Sequence, residues 1–270
     1  MADIKRIAFL GGGNMAEAII KGLLRERSDV PLMVAEISGE RRNYLEKSYP
    51  KIRIVENSAE AAAWGEVVIL AIKPQQATSV LTELERALGL DKLIVSIMAG
   101  VRTGSIEDAL LNGTRVVRVM PNTPALVGMG ATAICPGRKA TPLDLDRVET
   151  IFSQTGLVVR VDEKQMDAVT ALSGSGPAYV FTFVEALSDA GVKNGLPRDI
   201  ATRLAVQTVL GSAQMLAETG EHPALLREKV TSPGGTTIAA LHTLENGRFR
   251  GVIMDAVDAA SLKSKELAGK

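Results

Sequence analysis

The sequence predicts an α/β protein: a mainly parallel sheet covered on both faces, followed by an all-α region. Three observations predict it. Short, fully apolar runs alternate with amphipathic stretches through the first half, the pattern of strands buried on both faces with helices between them. A glycine-rich turn, Gly11-Gly-Gly13-Asn-Met-Ala16, joins the first apolar run to the first amphipathic stretch. After Asp162 the strand-like runs stop and only helical periodicity continues.

Taken in order, Ile7–Leu10 reads as a strand and Met15–Arg27 as a helix. Leu32–Ala35 and Ile52–Val55 are the next strands, with a short alanine-rich helix near Ala59–Ala63. Val67–Ala71 is a strand, Gln75–Leu88 a helix, Leu93–Ile97 a strand, Ile106–Leu111 a short helix and Val116–Val119 a strand. Thr132–Cys135 and Leu157–Val161, with a helix at Pro142–Phe152 between them, extend the sheet. Parallel neighbours require right-handed crossovers. The helical region comprises Ala178–Ala190, Arg198–Ala217, Leu225–Lys229, Thr236–Leu244 and Phe249–Leu267. At roughly 150 residues per domain, 270 residues accommodate two domains. The expected division is 1–162 and 163–270. The helix from Arg198 carries Ile200, Leu204, Val209, Ala213 and Leu216 with alanines on adjoining faces. So broad an apolar surface exceeds one-sided burial and favours a second copy of the chain against it, the alternative being a central helix within a monomeric bundle.

Composition excludes several function classes. Lys and Arg total 31 and so do Asp and Glu, so no basic field favours nucleic acid as a partner. Cys135 is the only cysteine and there are two histidines, which leaves no internal disulfide and no Cys/His metal cluster. The apolar run Val67–Ile72 falls far below the ~20 residues that span a bilayer. With the opening residues running straight into a strand, no leader and a cytoplasmic location are expected.

The glycine-rich turn has the G-x-G-x-x-A form of the dinucleotide fingerprint, which makes the first half Rossmann-like. Gly11 permits the tight turn, Gly13 lets backbone N–H groups approach a diphosphate at the helix start, and Ala16 allows close helix–strand packing. Gly11, Gly13, Asn14 and Met15 are the candidate diphosphate contacts. Glu36 ends the second strand, where an acid accepts from the ribose hydroxyl of NAD. Ser38, Arg41 and Arg42 follow at once and offer donors to the extra phosphate of NADP. The pattern favours NADPH and leaves NADH open. Ala71, Lys73 and Pro74 stand at the carboxyl end of one strand, and Asn122 and Thr123 at the end of another, on the ligand side of such a sheet.

Two polar glycine loops precede helices in the second half: Ser173-Gly-Ser175-Gly-Pro-Ala-Tyr179 and Thr231-Ser232-Pro-Gly234-Gly235-Thr236-Thr237. Each supplies hydroxyls, a flexible backbone and a partially positive helix start, the means of holding a small carboxylate; each also serves as an ordinary cap. No Ser/His/Asp triad, H-E-x-x-H motif or phosphate loop is evident in the sequence. Chemistry here rests on positioning and a cofactor.

Five segments, Phe9–Met15, Ala71–Pro74, Met120–Ala125, Ala171–Tyr179 and Val230–Thr237, together resemble the pyrroline-5-carboxylate reductase family over nearly the whole chain. The resemblance implies a helical dimerisation domain, dimers that in several members assemble into a decamer, and an active site completed by helical-domain segments including the partner's. It implies reduction of the C=N bond of 1-pyrroline-5-carboxylate to L-proline. Ser175 and Ser232–Thr237 would hold the substrate, with backbone donors at Gly234, Gly235 and Thr236, and Thr237 would hydrogen-bond near the ring nitrogen. Hydride transfer to an already electrophilic iminium needs donor and acceptor aligned at about 3–3.5 Å more than a strong base. The chain departs from the family at the adenosine site: Ser58 stands where members carry an asparagine, with Asn57 one residue early, and Ser38 matches the family serine. Two other readings stay open on sequence alone: a related hydroxy-acid dehydrogenase, and a non-catalytic NAD(P)-binding dimer.

Overall fold

The computed structural model describes residues 4–26, 30–86 and 88–268. The opening Met1–Asp3 and the expected helix end at Arg27 lie outside them, as does residue 87 of the expected Gln75–Leu88 helix.

Among the described residues, eight strands form one sheet: β1 (Ile7–Leu10), β2 (Leu32–Ala35), β3 (Arg53–Val55), β4 (Val67–Leu70), β5 (Leu93–Ser96), β6 (Arg115–Met120), β7 (Gly130–Pro136) and β8 (Gly156–Arg160). Their order is β3-β2-β1-β4-β5-β6-β7-β8. All neighbours are parallel except β7, which runs antiparallel to β6. The β6–β7 connection is little more than a single turn over Thr123–Val127, too short for the crossover that a parallel pair needs.

Alternate residues of the strands sort onto opposite faces. Ile7, Phe9, Val67, Ile69, Val95 and Val119 enter one core with α1 (Asn14–Glu26) and α6 (Pro142–Phe152). Ala8, Leu10, Val68, Leu70, Ile94 and Val116 enter the other with α3 (Ser58–Trp64), α4 (Ala77–Glu85) and α5 (Thr103–Asp108). Each buried Leu, Ile or Phe contributes about 1.5–3 kcal/mol, so a sheet covered twice is well supplied. Residues 39–48, to which the apolar pattern assigns no element, form α2 (Gly39–Ser48), where Leu45 alone is buried. The Ser38 hydroxyl accepts from Arg41 N and starts that helix. Lys92 donates to the carbonyls of Ala63 (2.7 Å) and Gly65 (2.8 Å) and so closes the end of α3.

Contacts divide the chain into two compact units, Met1–Ser175 with Ala260–Lys270, and Gly176–Ala259. The first continues beyond Asp162 for identifiable reasons. The Glu163 carboxylate accepts from Thr103 N (2.7 Å) and Oγ1 (2.6 Å), and Met166, in the short α7 (Met166–Val169), is buried with Ala133 and Cys135. A π-helical turn follows at Thr170–Gly174.

The second unit contains α8 (Gly176–Lys193), α9 (Arg198–Thr219), α10 (Pro223–Lys229), α11 (Thr236–Asn246) and most of α12 (Phe249–Ala268). Only Ser188, Ala201 and Ala205 are buried in it, while Leu204, Val206, Leu210 and Met215 of α9 are exposed. An apolar surface of this extent belongs against another protein surface.

Substituting Lys92 by Met leaves two carbonyls at the end of α3 without their charged donor. A loss of about 1.5–3 kcal/mol is expected, read as a shift in the urea midpoint; an unchanged midpoint would show the contacts to be dispensable.

Candidate active site

The strand order reverses at β1. The chain passes from β1 outward to β2 and β3, then returns to place β4 on the other side of β1. Such a switch point opens a crevice at the carboxyl ends of the strands. Gly11 ends β1 there with φ +98°, and a Cβ on it would lie 2.5 Å from the Ala71 carbonyl oxygen beyond β4. A Cβ on Gly13 would meet nothing within 4 Å. The first glycine is thus demanded by the chain itself, whereas the second leaves space in front of the start of α1. That space, faced by amides with no intrahelical partner, fits a diphosphate.

Other expected residues gather at the same edge of the sheet. Glu36 follows β2; its carboxylate accepts from Gly12 N (2.9 Å) and Ser38 N (2.8 Å). Asn57 caps α3 by accepting from Glu60 N (3.0 Å), and Ser58 is the first residue of that helix. Lys73 and Pro74 follow β4 and are exposed. Thr123 is exposed after β6. Asn122 beside it is spent internally: its Nδ2 donates to Ser173 O (3.0 Å) and its Oδ1 accepts from Ala131 N (2.8 Å). Its side chain thereby joins the β6–β7 connection to the π-helical turn. Ser175 N donates to Thr170 O (2.8 Å) at the end of that turn.

Arg41 and Arg42 are also engaged. Arg41 Nε donates to Gly12 O (2.6 Å) and Nη2 to Glu17 Oε2 (2.6 Å). Arg42 Nη1 donates to the carbonyls of Glu36 (2.8 Å) and Ile37 (2.9 Å), and its Nη2 pairs with Glu56 (3.0 Å). Glu17 is the residue that sequence reasoning missed. It is 6% exposed and receives Tyr49 Oη (2.7 Å), Tyr44 Oη (3.1 Å) and Lys21 Nζ (2.9 Å) besides Arg41. Burial pushes its carboxyl up, but the hydrogen bonds from Tyr49, Lys21, Arg41 and Tyr44 outweigh burial and bring it down to about 2. An acid in the first turn of a helix reads as a partner of the helix dipole and of Lys21 one turn on, and nothing local signals Arg41, Tyr44 or Tyr49. Burial, reinforced by Glu163, raises the Cys135 thiol to about 12, which keeps it protonated and unreactive.

In the second unit, Gly234 has φ +66° and Gly235 caps α11, with Gly235 N donating to Ser232 O (3.1 Å). Thr236 and Thr237 are the first two residues of the helix. A cavity of about 710 Å³ lies beside them, lined by residues including Arg227, Thr231, Gly234, Gly235, Ile238 and His242. His222 caps α10 through Nδ1, and His242 pairs with Asn246.

Fold and site define a class: a dinucleotide-binding α/β oxidoreductase with a helical second unit. The comparisons narrow it. A family model described as pyrroline-5-carboxylate reductase dimerisation matches residues 163–267, and one described as NADP oxidoreductase, coenzyme F420-dependent, matches residues 6–100. Pyrroline-5-carboxylate reductase of Synechocystis sp. is 48% identical, covering 98% of this chain and 99% of the relative. The structure of a pyrroline-5-carboxylate reductase from Coxiella burnetii superposes with TM-score 0.92 at 37% identity, covering 98% of this chain and 99% of that one. A Plasmodium falciparum pyrroline carboxylate reductase with NADP bound gives 0.87 at 35% identity, with 99% of each chain covered. The chain belongs to the pyrroline-5-carboxylate reductase family.

Two outcomes follow from the geometry. Gly11→Ala forces a side chain onto left-handed backbone and the Ala71 carbonyl, and is expected to cost about 2 kcal/mol or more. Gly13→Ala should leave stability within about 0.5 kcal/mol yet weaken NADPH binding roughly tenfold, the loss of about one backbone–phosphate bond. Urea unfolding and nicotinamide fluorescence titration separate the two; equal effects on stability would contradict the assignment.

Glu17 also predicts a pH dependence. Its carboxyl falls from 4.5 to about 2 on folding, so folding favours the ionised form. The linked stability, at most roughly 3 kcal/mol, is complete above pH 4.5 and lost as pH falls towards 2. The advantage of the natural chain over Glu17→Gln in unfolding free energy should shrink across that window. A constant difference would remove Glu17 from acid denaturation.

Proposed function

We propose that this chain is an NAD(P)H-dependent imine reductase that converts 1-pyrroline-5-carboxylate to L-proline, the last step of proline biosynthesis. Membership of the family over the full length of the chain carries the reading. NADPH, with NADH as a second donor, supplies the hydride.

The chain's own residues bind and orient. The amides of Gly13, Asn14 and Met15 receive the diphosphate at the start of α1, where the helix dipole adds to them. Ser38 and Ser58 hold the adenosine ribose, with Glu36 beside them. Ala71, Lys73, Pro74, Asn122 and Thr123 surround the nicotinamide ribose, Asn122 through its backbone. At α11 the N–H groups of Gly234, Thr236 and Thr237 receive the substrate carboxylate, that of Gly235 being held by Ser232 O (3.1 Å), and the Ser232 and Ser175 hydroxyls add to them. The Thr237 hydroxyl orients the ring nitrogen and relays to it, directly or through a water, the solvent proton that accompanies hydride addition at the ring carbon. A protonated imine is electrophilic already, so these groups need to position more than to activate.

The helical region makes the chain a homo-oligomer, consistent with the family dimerisation region at 163–267. Such dimers stand alone or assemble further into a decamer. The exposed Leu204, Leu210 and Met215 support the pairing; light scattering on the eluted protein tests it, and a monomeric mass contradicts it. A cytoplasmic location belongs to the same reading and is supported by a single, buried cysteine.

Purified protein should oxidise NADPH when 1-pyrroline-5-carboxylate is added, followed by the loss of nicotinamide absorbance. Folded, oligomeric protein with no turnover on either cofactor would falsify the assignment. Thr237→Ala should lower kcat/KM by roughly a hundredfold, the scale of one positioned proton-transfer group, with little change in cofactor Kd. Unchanged kcat/KM removes Thr237 from the mechanism.

A further inference from the structure

We propose that Arg41 is a positioning residue for the diphosphate turn, acting with Glu36 as a clamp on the backbone at Gly12, and that it is not a ligand of the 2′-phosphate of NADPH. The inference rests on the reductase reading above. Residue Gly12 is gripped at both of its backbone polar atoms, which belong to the two successive peptide groups flanking its Cα: its N–H donates to Glu36 Oε2 (2.9 Å) and its carbonyl, shared with the peptide that carries the Gly13 N–H, accepts from Arg41 Nε (2.6 Å). Neither grip is loose. The second Glu36 oxygen is held by Ser38 N (2.8 Å). Arg41 Nη2 is anchored to Glu17 Oε2 at 2.6 Å, and the guanidinium lies 4.8 Å from the centre of the Tyr44 ring.

A Cβ on Gly12 would come within 2.6 Å of Leu45 Cδ1, so α2 also packs against the Gly12 Cα. With the peptide groups on both sides of Gly12 held, and Leu45 packed at its Cα, neither is free to flip. The following amides of Gly13, Asn14 and Met15 are therefore aimed before the cofactor arrives, and preorganisation of this kind lowers the ordering cost of binding. The Gly12 N–H is itself consumed and is not among the diphosphate donors.

Arg41 meanwhile has two of its nitrogens committed, and its charge is compensated by a nearly buried carboxylate. A fork that spans a carbonyl and a carboxylate is what guanidinium geometry provides and a lysine ammonium does not. The diphosphate is common to NADPH and NADH. A clamp therefore serves both cofactors equally, whereas a 2′-phosphate ligand serves NADPH alone.

The test is the Kd of NADPH and of NADH, by nicotinamide fluorescence, for the full-length chain and its Arg41→Ala, Arg41→Lys and Glu17→Gln variants. Circular dichroism and gel filtration report whether each variant is folded. The clamp predicts that Arg41→Ala and Arg41→Lys weaken both cofactors alike, on the order of tenfold for a lost charged hydrogen bond. The ratio of the two Kd values should stay within about twofold of the natural chain's. Glu17→Gln, which keeps Arg41 but weakens its anchor, should give a smaller loss that is again parallel.

Selective loss of NADPH affinity, with Arg41→Lys restoring it, overturns the clamp, because a point charge suffices for a phosphate. Unchanged Kd values for both cofactors in folded variants also overturn it. If Arg41→Ala does not fold, Glu17→Gln decides: a parallel loss supports the clamp, and unaltered affinities overturn it. A natural chain that binds neither cofactor fails the reductase reading itself, a result distinct from all of these.

Discussion

A side chain at residue 11 would sit 2.5 Å from the Ala71 carbonyl oxygen, so the ends of β1 and β4 meet backbone to backbone. The rest of the first unit is arranged around that approach. It lets β1 lie centrally between β2 and β4 in parallel register, and it turns the chain sharply enough for α1 to begin at Asn14. The crevice that results is lined by backbone amides and strand ends, the environment in which a dinucleotide's charge is met by fixed dipoles.

The turn needs more than glycine to point its amides in one direction. Glu36 and Arg41 hold the peptide groups on either side of Gly12, and Glu17 holds Arg41. Glu17 is tolerable inside only because four donors converge on it; with fewer, burial would favour its neutral form. The price of ordering this network falls on folding and is therefore absent from the binding step.

The second unit obeys a different constraint. Its helices bury very few of their own side chains and expose the apolar faces of α9 and α12, among them Leu204, Leu210, Val252 and Met254. Family membership supplies the reason: this is the region by which the family dimerises. Thr236 and Thr237 begin a helix of the same unit, so the residues proposed to hold substrate belong to the part of the chain that matches the family's dimerisation region.

Local pattern made much of this legible. Alternation in Ile7–Leu10 and Val67–Leu70, the spacing of Gly11, Gly13 and Ala16, and the loops before α8 and α11 are short-range signals, each set by a few consecutive residues. They sufficed for the sheet, the helical second half, the dinucleotide turn and the family. The charged helix α2 escaped because its one buried residue, Leu45, leaves no periodicity to read. Asn122 was legible as a residue at a strand end, but not as a link between Ser173 and Ala131.

The sequence by itself thus determined the order of elements and the chemistry carried by the loops. Tertiary structure alone decided which side chains are spent on the fold. Gly12 meets Glu36 and Arg41 across 24 and 29 residues, and Glu17 meets Tyr49 across 32. Partners so distant come together only when strands pair and helices pack. An arginine beside a cofactor site therefore reads the same in sequence whether its charge is free for a phosphate or already held by a buried carboxylate.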